Sequence, residues 1–394
     1  MKLQTPTQQR LQVTVLTEER DFAALDEDWE DLYEHCPSAT PFQSWAWLYS
    51  WWESYGEGYE LRLIVVRDGG LLVGLLPLMV PRGLSFGRLL LIGTGSTDYL
   101  DVLAREGWEQ AVAEVGARAL KGLGGWRVAD LRDVHPTAAV WDIFHGWEGP
   151  RTYFRRFGSP VMDVRPWDEL VTSLSKNHRS SVRRTLRRAE NDRVRSKLAE
   201  PADAKEAATR WMTLHQEAWK GRNIAPEHLD ERFKAHLEAA ARRMTAHGLG
   251  GISEFWRDGE VIASHFLVFG RDFTGQHLFG ATQEALRRYQ VSSLYVWDAL
   301  KAARAQRSTY LDMLQGEESY KLRWASRVLP NYRLVMGRDW LSWAPYSVYQ
   351  GLRSTAERYA YSEGAPRWVK EAVTMRLVLR RRMRANSIKG CQSG

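Results

Sequence analysis

The chain has 394 residues, of which 44% are hydrophobic and 11% aromatic, with 18 tryptophans and a formal net charge of +7. This composition excludes a disordered protein and provides enough apolar side chains for two domains of ordinary size. The only two cysteines, Cys36 and Cys391, lie near opposite ends, which excludes a disulfide framework and a cysteine-built zinc site and fits a reducing compartment.

The first half of the chain predicts strands and helices in a clear order. A strand is expected over residues 13–16, and apolar spacings of three and four predict a helix over residues 22–33. A second helix, residues 41–52, is aromatic nearly all round and should be buried on several sides. The elements that follow are a hairpin of strands 61–67 and 71–80 around an Asp-Gly turn, a strand at 88–92, a small-residue loop at 93–99, a helix at 108–120 and a strand at 126–131.

The second half begins with short strands and a strongly basic helix over residues 173–188. Arg179, Arg183 and Arg187 recur every four residues in this helix, so its positive charges form a stripe. The elements that follow are a strand at 193–197, helices at 201–220 and 226–247, strands at 252–256, 261–269 and 273–279, a helix at 292–306 and a strand at 310–314. The final residues, 339–394, predict a basic helical tail.

No stretch of the sequence predicts secretion or membrane insertion. The first 18 residues are polar, so we expect no signal peptide. The longest apolar run, residues 71–80, is half the length that a bilayer span requires. The expected location is therefore the cytoplasm.

The two halves of the chain repeat one order of elements. Each half contains a strand, an Arg-Asp-Gly turn and an apolar strand, at residues 66–75 and 256–265. Two helices precede each hairpin, and a third strand, a loop, a helix and a last strand follow it. The order β-α-α-β-β-β-α-β appears twice, which predicts two similar domains at residues 1–165 and 166–338, with the tail at 339–394.

This order looks like the GNAT acyltransferase fold, and its tandem form resembles the CelD/BioF2-like acetyltransferases of the FemAB-like superfamily. The residues that carry the resemblance are Pro41-Phe42-Gln43 with Trp47, Ser175-Lys176-Asn177-His178-Arg179 with Arg183 and Arg184, Trp219-Lys220-Gly221-Arg222, and residues 311–321, L-D-M-L-Q-G-E-E-S-Y-K. The last segment is close to the D-F-L-x-G-x-x-x-Y-K pattern of the CelD-like group. The resemblance implies an α+β fold of two tandem GNAT-like domains, each a mixed, mostly antiparallel sheet flanked by helices.

The resemblance also implies where the acyl donor binds. In the family the donor lies where the fourth and fifth strands separate, with its pyrophosphate at the N-terminus of the following helix, an arrangement that the helix dipole favours. In the second domain this position is occupied by Arg287, Arg288, Gln290, Ser292 and Ser293. Both glycines of the usual R/Q-x-x-G-x-G/A loop are absent there, whereas the first domain has Gly-Thr-Gly-Ser at residues 93–96. The expected donor is acetyl-CoA or another acyl-CoA; in FemAB-like relatives it is an aminoacyl-tRNA, so that alternative stays open.

Four residues near the predicted strand 310–314 have side chains suited to acyl transfer. The reaction needs a base for the amine, hydrogen-bond donors for the oxyanion and an acid for the leaving thiolate. We expect Asp312 and Glu318 to orient or deprotonate the amine, and Tyr320 and Lys321 to assist the thiolate or the oxyanion. Each has a structural alternative: backbone hydrogen bonding, a favourable helix-dipole contact, core packing or plain solvation. His265 and His277, on neighbouring predicted strands, are weaker candidates for the base.

Further candidates for substrate binding lie outside that segment. They are Trp219 and Arg222 in the turn between two helices of the second domain, Asp98 and Tyr99 after the first domain's glycine loop, and Arg179 and Arg183 on the basic helix. The basic helix has three interpretations: a solvated face, a clamp for a phosphorylated donor or carrier, and a nucleic-acid surface. The third is disfavoured because no aromatic residues alternate with the charges. No metal-ligand cluster with suitable spacing is present, and no metal is expected.

The sequence therefore predicts an N-acyltransferase that moves an acyl group, acetyl in the simplest case, from acyl-CoA to an amine. The acceptor would be a sugar, an amino acid or a cell-envelope or polysaccharide precursor, free or carrier-linked. One alternative is FemAB-like aminoacyl-tRNA-dependent transfer, the one case in which nucleic acid is expected as a partner. Another is a non-catalytic duplicated domain that binds a phosphorylated glycan or a protein. The basic tail favours either peripheral contact with an anionic inner-membrane face or packing on the domain.

Overall fold

The computed structural model describes residues 11–83, 86–218 and 230–360. It confirms the predicted α+β class, with two mixed, mostly antiparallel sheets flanked by helices. The elements of the first half are β1 (Leu11–Leu16), α1 (Glu19–Ala23), α2 (Asp26–Glu34), α3 (Trp45–Tyr55), β2 (Tyr59–Asp68), β3 (Leu71–Pro81), β4 (Arg88–Leu91), β5 (Leu103–Ala104), α4 (Glu109–Gly122), β6 (Val128–Val134), α5 (Val140–Gly146) and β7 (Arg151–Arg155).

The elements of the second half follow in the predicted order. They are β8 (Ser159–Asp163), α6 (Trp167–Ser173), α7 (Lys176–Asn191), β9 (Arg195–Leu198), α8 (Ala204–Ala218), α9 (Glu231–Ala246), β10 (Gly250–Arg257), β11 (Glu260–Phe269), β12 (Phe273–Ala281), α10 (Gln283–Arg288), α11 (Val291–Ala305), β13 (Tyr310–Asp312), α12 (Ser319–Leu322), β14 (Arg327–Leu329), β15 (Tyr332–Gly337) and α13 (Trp340–Ala360). Of the predicted tail, residues 361–394 lie outside the described part.

These elements form two compact units that are discontinuous along the chain. Among the described residues, the first unit contains 11–39, 55–157 and 330–360, and the second contains 40–54 and 158–329. The first sheet has the order β1-β2-β3-β4-β6-β15-β7, with β5 paired to β3. The second has the order β9-β10-β11-β12-β13-β8-β14. Each sheet contains one parallel pair, β4 with β6 and β12 with β13, and all its other pairs are antiparallel.

Each sheet contains one strand that directly follows, in sequence, an edge strand of the other sheet. β8 follows β7 after residues 156–158, yet it pairs with β13 and β14 of the second sheet. β15 follows β14 after residues 330–331, yet it pairs with β6 and β7 of the first sheet. Connections this short usually join neighbouring strands of one hairpin. The predicted boundaries after residues 165 and 338 therefore differ from the compact units, because each unit includes a strand from the other half.

The aromatic helix α3 belongs mostly to the second unit, although it precedes most of the first unit in sequence. Six of its residues are buried, as its all-round aromatic pattern predicts. The Trp47 ring lies 4.7 Å from the His236 ring and 5.4 Å from the His277 ring, centroid to centroid. The Arg243 guanidinium of α9 donates hydrogen bonds to the hydroxyl of Ser50 and the carboxylate of Glu53.

Helices α7 and α11 pack against β13 of the second sheet. Val182 of α7 and Val296 and Leu300 of α11 share one apolar cluster with Leu311 and Met313. The Tyr295 hydroxyl donates a hydrogen bond of 2.7 Å to the carbonyl oxygen of Gly280, which holds the start of α11 beside the last residues of β12.

Candidate functional site

The parallel strands of the second unit pair for only three residues and then separate. Phe273 pairs with Tyr310, Thr274 with Leu311 and Gly275 with Asp312. β13 ends there, whereas β12 continues to Ala281, so residues 276–281 have no strand partner on this edge among the described strands. An unpaired strand edge presents backbone N–H and C=O groups that a ligand can bind. We call the gap between the end of β13 and residues 276–281 of β12 the strand opening.

A bulge in β12 borders the strand opening. The pairing with β11 runs from Phe266–His277 to His265–Phe279 and skips Leu278. Leu278 has φ of 44°, an unusual conformation for a branched side chain. A bulge twists the strand and redirects its backbone groups, and bulges are frequent beside active sites.

Helix α8 approaches the last residues of β12 very closely. A Cβ atom added to Gly280 would lie 2.3 Å from the backbone nitrogen of His215, so no other residue fits here without displacing the helix. The His215 ring nitrogen Nδ1 lies 2.7 Å from the carbonyl oxygen of Phe279. These contacts hold β12 to α8 over the stretch where it has separated from β13.

A tight turn after β13 forms the other side of the strand opening. Asp312 is 1% exposed, and its Oδ1 accepts a hydrogen bond of 2.7 Å from the backbone N–H of Leu314, a residue with φ of 58°. The carboxylate of Glu317 accepts a hydrogen bond from the N–H of Gly158, which anchors the turn to the start of β8. Asp312 and Glu317 therefore shape the turn.

Lys321 ties the short helix α12 back to this turn. Its Nζ lies 2.8 Å from the carbonyl oxygen of Gln315, 3.4 Å from that of Leu314 and 3.2 Å from a carboxylate oxygen of Glu318. A lysine ammonium has three N–H donors, and these three acceptors match them. The expectation that Lys321 holds a phosphate or an oxyanion does not fit this arrangement, because its donors are already used inside the protein.

Tyr320 extends from α12 towards the bulged part of β12. Its ring centroid lies 6.3 Å from that of Phe279, edge to face, and Phe279 lies 5.2 Å from Tyr295 of α11. Burial, and then the negative charge of Glu318, raise the pKa of the Tyr320 phenol above its usual value. The phenol is therefore protonated at neutral pH, and the raised pKa means that it holds its proton more tightly than an exposed tyrosine does.

A buried polar network lies behind Tyr295. The ring of His265 lies 5.0 Å from that of Tyr295, and its Nε2 lies 3.1 Å from Oδ2 of Asp298. The hydroxyl of Ser253 donates a 2.6 Å hydrogen bond to the same carboxylate. Burial alone would raise the pKa of Asp298, but the hydrogen bond and charge of His265 outweigh it and lower that pKa. Because His265 is fully buried, this arrangement favours a structural role over that of a base.

The predicted donor loop lies at the junction of α10 and α11, in contact with α7. Arg288 forms two hydrogen bonds to Asp192, of 2.6 and 2.5 Å, and the Tyr289 hydroxyl donates a third. The bonds from Arg288 and then Tyr289 lower the pKa of Asp192 to about 2. Arg188 in turn donates to the backbone carbonyl of Arg288. The charge of Arg288 is thus balanced within the protein, which reduces its capacity to attract a phosphate.

The N-terminus of α11 has groups that fit an anion. Gln290 is the residue at the N-cap position, and its side-chain oxygen accepts a hydrogen bond from Ser181. The hydroxyl of Ser293 is fully buried in the first turn and has no hydrogen-bond partner within the described residues. Ser292 is half-buried and Arg287 is exposed. The helix dipole and this hydroxyl offer a phosphate site in place of the missing glycines.

Of the substrate-binding residues predicted in the second half of the chain, Arg179 and Arg183 lie within the described part. Trp219 and Arg222 lie outside the described residues. Arg179 donates to the carbonyl oxygens of Thr172 and Leu174, so it caps the end of α6. Arg183 is exposed on α7.

The other two predicted substrate contacts, Asp98 and Tyr99, belong to the first unit. Tyr99 is 2% exposed, and its ring lies edge to face with that of His135 at 5.3 Å. A buried ring in such a contact is typical of core packing. The structure therefore gives Tyr99 a packing role in its own unit.

The first unit has a parallel pair of its own but a different arrangement around it. Asp130 follows the last residue of β6 that pairs with β4, and its carboxylate is bound by Arg132, Arg333 and the hydroxyl of Tyr346. The turn after β4 uses its own amides, since the N–H of Thr94 donates to the carbonyl of Leu91. Helix α4 begins only at Glu109. In the second unit, by contrast, α10 begins at Gln283 and α11 at Val291, shortly after β12 ends at Ala281.

One known protein family matches the part of the chain that contains this site. Residues 176–322 match the family described as "Acetyltransferase (GNAT) domain". This segment has the GNAT fold. It contains α7, β9 to β13 and the strand opening. Together with the repeated sheet order, the match supports the predicted architecture of two tandem GNAT-like domains, whereas membership of the CelD/BioF2-like group stays a prediction.

Solved structures share the fold over most of the chain. FemX matches with a TM-score of 0.54 and 12% identity, covering 83% of this chain and 96% of that one. L-PGS from Bacillus licheniformis matches with a TM-score of 0.53 and 12% identity, covering 86% and 97%. A conserved protein of unknown function from Bacteroides thetaiotaomicron matches with a TM-score of 0.53 and 11% identity, covering 82% and 100%. At these identities the likeness concerns the fold alone. No curated protein matches in sequence.

The described residues contain neither a cluster of metal ligands nor a membrane-spanning helix. Within residues 11–83, 86–218 and 230–360, no three His, Cys, Asp or Glu side chains are grouped so as to hold a metal ion. In the same part of the chain, no helix has both the length and the apolar character of a membrane span.

Three residues that border the strand opening were not predicted from the sequence. Leu278 forms the bulge, and Phe279 and Tyr295 contact each other beside Tyr320. The one local signal was the Phe-Gly pair at the end of β12, because glycine in a strand interior marks a close backbone approach.

Proposed function

We propose that the GNAT domain of this chain transfers an acyl group from an acyl-CoA to an amine. The observation that carries the proposal is the strand opening, with the Leu278 bulge on one edge and the Tyr320 phenol near it. A parallel pair that separates in this way leaves an extended stretch of strand edge without a neighbouring strand. The pantetheine arm of an acyl-CoA is a linear chain with two amide groups, which matches such an edge.

The donor's phosphates would bind at the start of α11. The hydroxyl of Ser293 and the exposed guanidinium of Arg287 are the side chains available there, and the helix dipole adds attraction for an anion. Arg288 would contribute through the loop that it holds in place by binding Asp192. Of the five predicted donor contacts, Ser293 and Arg287 are therefore the ones that we retain as direct contacts.

Each residue at the turn would have a different role in this reaction. The amine nitrogen attacks the thioester carbon, the C–S bond breaks, and the thiolate takes a proton from the Tyr320 phenol. Glu318, whose side chain is 55% exposed, would accept the proton that the amine loses, directly or through water. Asp312 and Lys321 would act as positioning residues, since their polar atoms hold the turn between β13 and α12. The acceptor class stays as predicted: an amine on a sugar, an amino acid or an envelope or polysaccharide precursor.

A second candidate donor is an aminoacyl-tRNA. The observation in its favour is the position of α7, whose Ser181 and Arg188 contact the donor loop while Arg183, Arg184 and Arg187 are exposed. Exposed arginines on a helix that contacts the donor site suit a polyphosphate backbone. Binding to tRNA would weaken steeply with salt, in contrast to the binding of a single coenzyme A.

Thermal unfolding with each donor distinguishes the two. A ligand at one hundred times its Kd adds about 2.7 kcal/mol to the free energy of unfolding, so acetyl-CoA or a longer acyl-CoA should raise the Tm measurably. Arg287→Gln should weaken this shift, whereas Arg304→Gln, in the last turn of α11, should not. A shift with bulk tRNA that disappears at high salt, and none with any acyl-CoA, would replace the first proposal with the second. No shift with either class would contradict both.

A further inference from the structure

Helix α13 exposes a continuous apolar face. Leu341, Val348 and Leu352 are 89%, 63% and 69% exposed, and their spacing of seven and four residues places them on one side of the helix. Trp340, at the start of the helix, is also largely exposed. Single exposed apolar residues are ordinary, but an aligned row of them marks an interaction surface. We call these four residues the α13 face.

The opposite side of α13 is firmly attached to the first unit. Tyr346 and Trp343 pack against Val128 and Val335 in one apolar cluster, and the Tyr346 hydroxyl binds the buried Asp130. The α13 face is therefore directed away from a well-packed contact. Its side chains are not needed for that contact, so they are available for a partner.

Most of the chain's net charge follows directly after this helix. Residues 361–394 contain eight Lys or Arg residues and two Glu residues, a net charge of +6, out of +7 for the whole chain. Large apolar residues, including Trp368, Val373, Leu377 and Leu379, stand between the basic ones. An exposed apolar row followed by a concentrated positive charge is complementary to a surface that is apolar inside and anionic outside.

We propose that the α13 face docks on an anionic phospholipid bilayer. Apolar side chains gain free energy by entering the boundary between headgroups and acyl chains, and each nearby Lys or Arg adds electrostatic attraction to an anionic leaflet. Neither signal alone gives stable attachment, whereas the two together do. A second copy of the chain is a less suitable partner, because pairing two α13 faces would bring together two segments of charge +6. The proposal does not depend on the acyl-transfer chemistry.

Sedimentation of the full chain with vesicles tests the proposal. Vesicles of phosphatidylcholine alone are compared with vesicles that also contain phosphatidylglycerol, at low and high salt. The test variant is Leu341→Glu/Val348→Glu/Leu352→Glu. The matched control is Val13→Glu/Val15→Glu/Leu71→Glu, which adds the same charge at exposed apolar residues of β1 and β3 in the same unit. Circular dichroism and the Tm verify that both variants are folded.

The wild-type chain should bind the anionic vesicles and should be released by salt. The test variant should lose about tenfold or more of its binding, since burial of one such side chain is worth about 1.5–3 kcal/mol, while the control keeps most of it. Equal losses in both variants, or no preference for anionic vesicles, would overturn the proposal. If the wild-type chain is a dimer, the test variant is a monomer and neither binds vesicles, the α13 face would be assigned to contact with a second copy of the chain. If the wild-type chain does not bind vesicles and the test variant has a lower Tm than the wild-type chain, the α13 face would be assigned to contact with residues 361–394.

Discussion

Replacing Asp130 with asparagine should strongly destabilise the first unit. The carboxylate is fully buried, and Arg333 binds it at 2.6 and 2.7 Å through two nitrogens. Arg132 binds it at 3.0 Å, and the hydroxyl of Tyr346 at 2.7 Å. Asparagine keeps the shape of aspartate but removes the charge. Because Arg333 is only 1% exposed, its positive charge would remain buried without compensation.

The expected cost follows from that burial. Breaking a buried ion pair by neutralising one partner costs about 3–5 kcal/mol, which corresponds to a Tm lowered by about 6–20 °C for a domain of 150–250 residues. A matched control is Asp28→Asn, which removes an ion pair with Arg67 but affects a half-exposed carboxylate. Pairs of that kind contribute about 0–1 kcal/mol. Calorimetry of the full chain measures both changes.

The same cluster predicts a dependence on pH. Burial alone would raise the pKa of Asp130, but the charges of Arg132 and Arg333 outweigh burial and hold that pKa well below its usual range. A lowered pKa contributes stability that is fully present above the unfolded value, about 3.9, and is lost as the pH falls through the folded value. The Tm of Asp130→Asn should therefore decline less between pH 7 and pH 3 than that of the wild-type chain.

A paired substitution separates the charge effect from simple loss of contacts. Asp130→Leu with Arg333→Met removes both charges, so it should destabilise less than Asp130→Asn alone. If Asp130→Asn lowered the Tm no more than Asp28→Asn does, the uncompensated charge of Arg333 would not be the main cause of the destabilisation. That outcome would refute the explanation from buried charge.

Three further predictions concern residues 176–322, the segment that matches the GNAT domain family. Tyr320→Phe should lower kcat for acyl-CoA-dependent acylation of an amine panel by about 10²–10⁴-fold with little change in Tm, and a loss below threefold would remove Tyr320 as the acid. Lys321→Met should lower the Tm by disrupting the turn and should raise the KM for acyl-CoA without changing its salt dependence; a flatter salt dependence would instead indicate direct phosphate contact. Gly280→Ala should cost about 1–3 kcal/mol by displacing α8 near His215, and an unchanged Tm would show that α8 adapts freely.

Local patterns predicted much of the candidate site. The segment 311–321 indicated a strand, a turn and a helix start, and the structure places β13, the turn and α12 there. The polar groups of Asp312, Glu318, Tyr320 and Lys321 do gather around that turn. Their individual roles could not be predicted, because a lysine in sequence looks the same whether its three donors face a ligand or three internal acceptors. The pairing of Arg288 with Asp192, 96 residues away in sequence, could not be predicted from the sequence either.

By itself, the sequence determined the order of helices and strands, both hairpins, the burial of α3 and the duplication of the fold. These features depend on side-chain periodicity and turn residues, which act over a few positions along the chain. Only the tertiary structure decided which sheet receives β8 and β15, where α3 packs, and where β12 separates from β13. The alternation of apolar and polar residues along a strand shows which of its faces is buried, but not which other strand it pairs with. Pairing between strands that are distant in sequence depends on the whole fold.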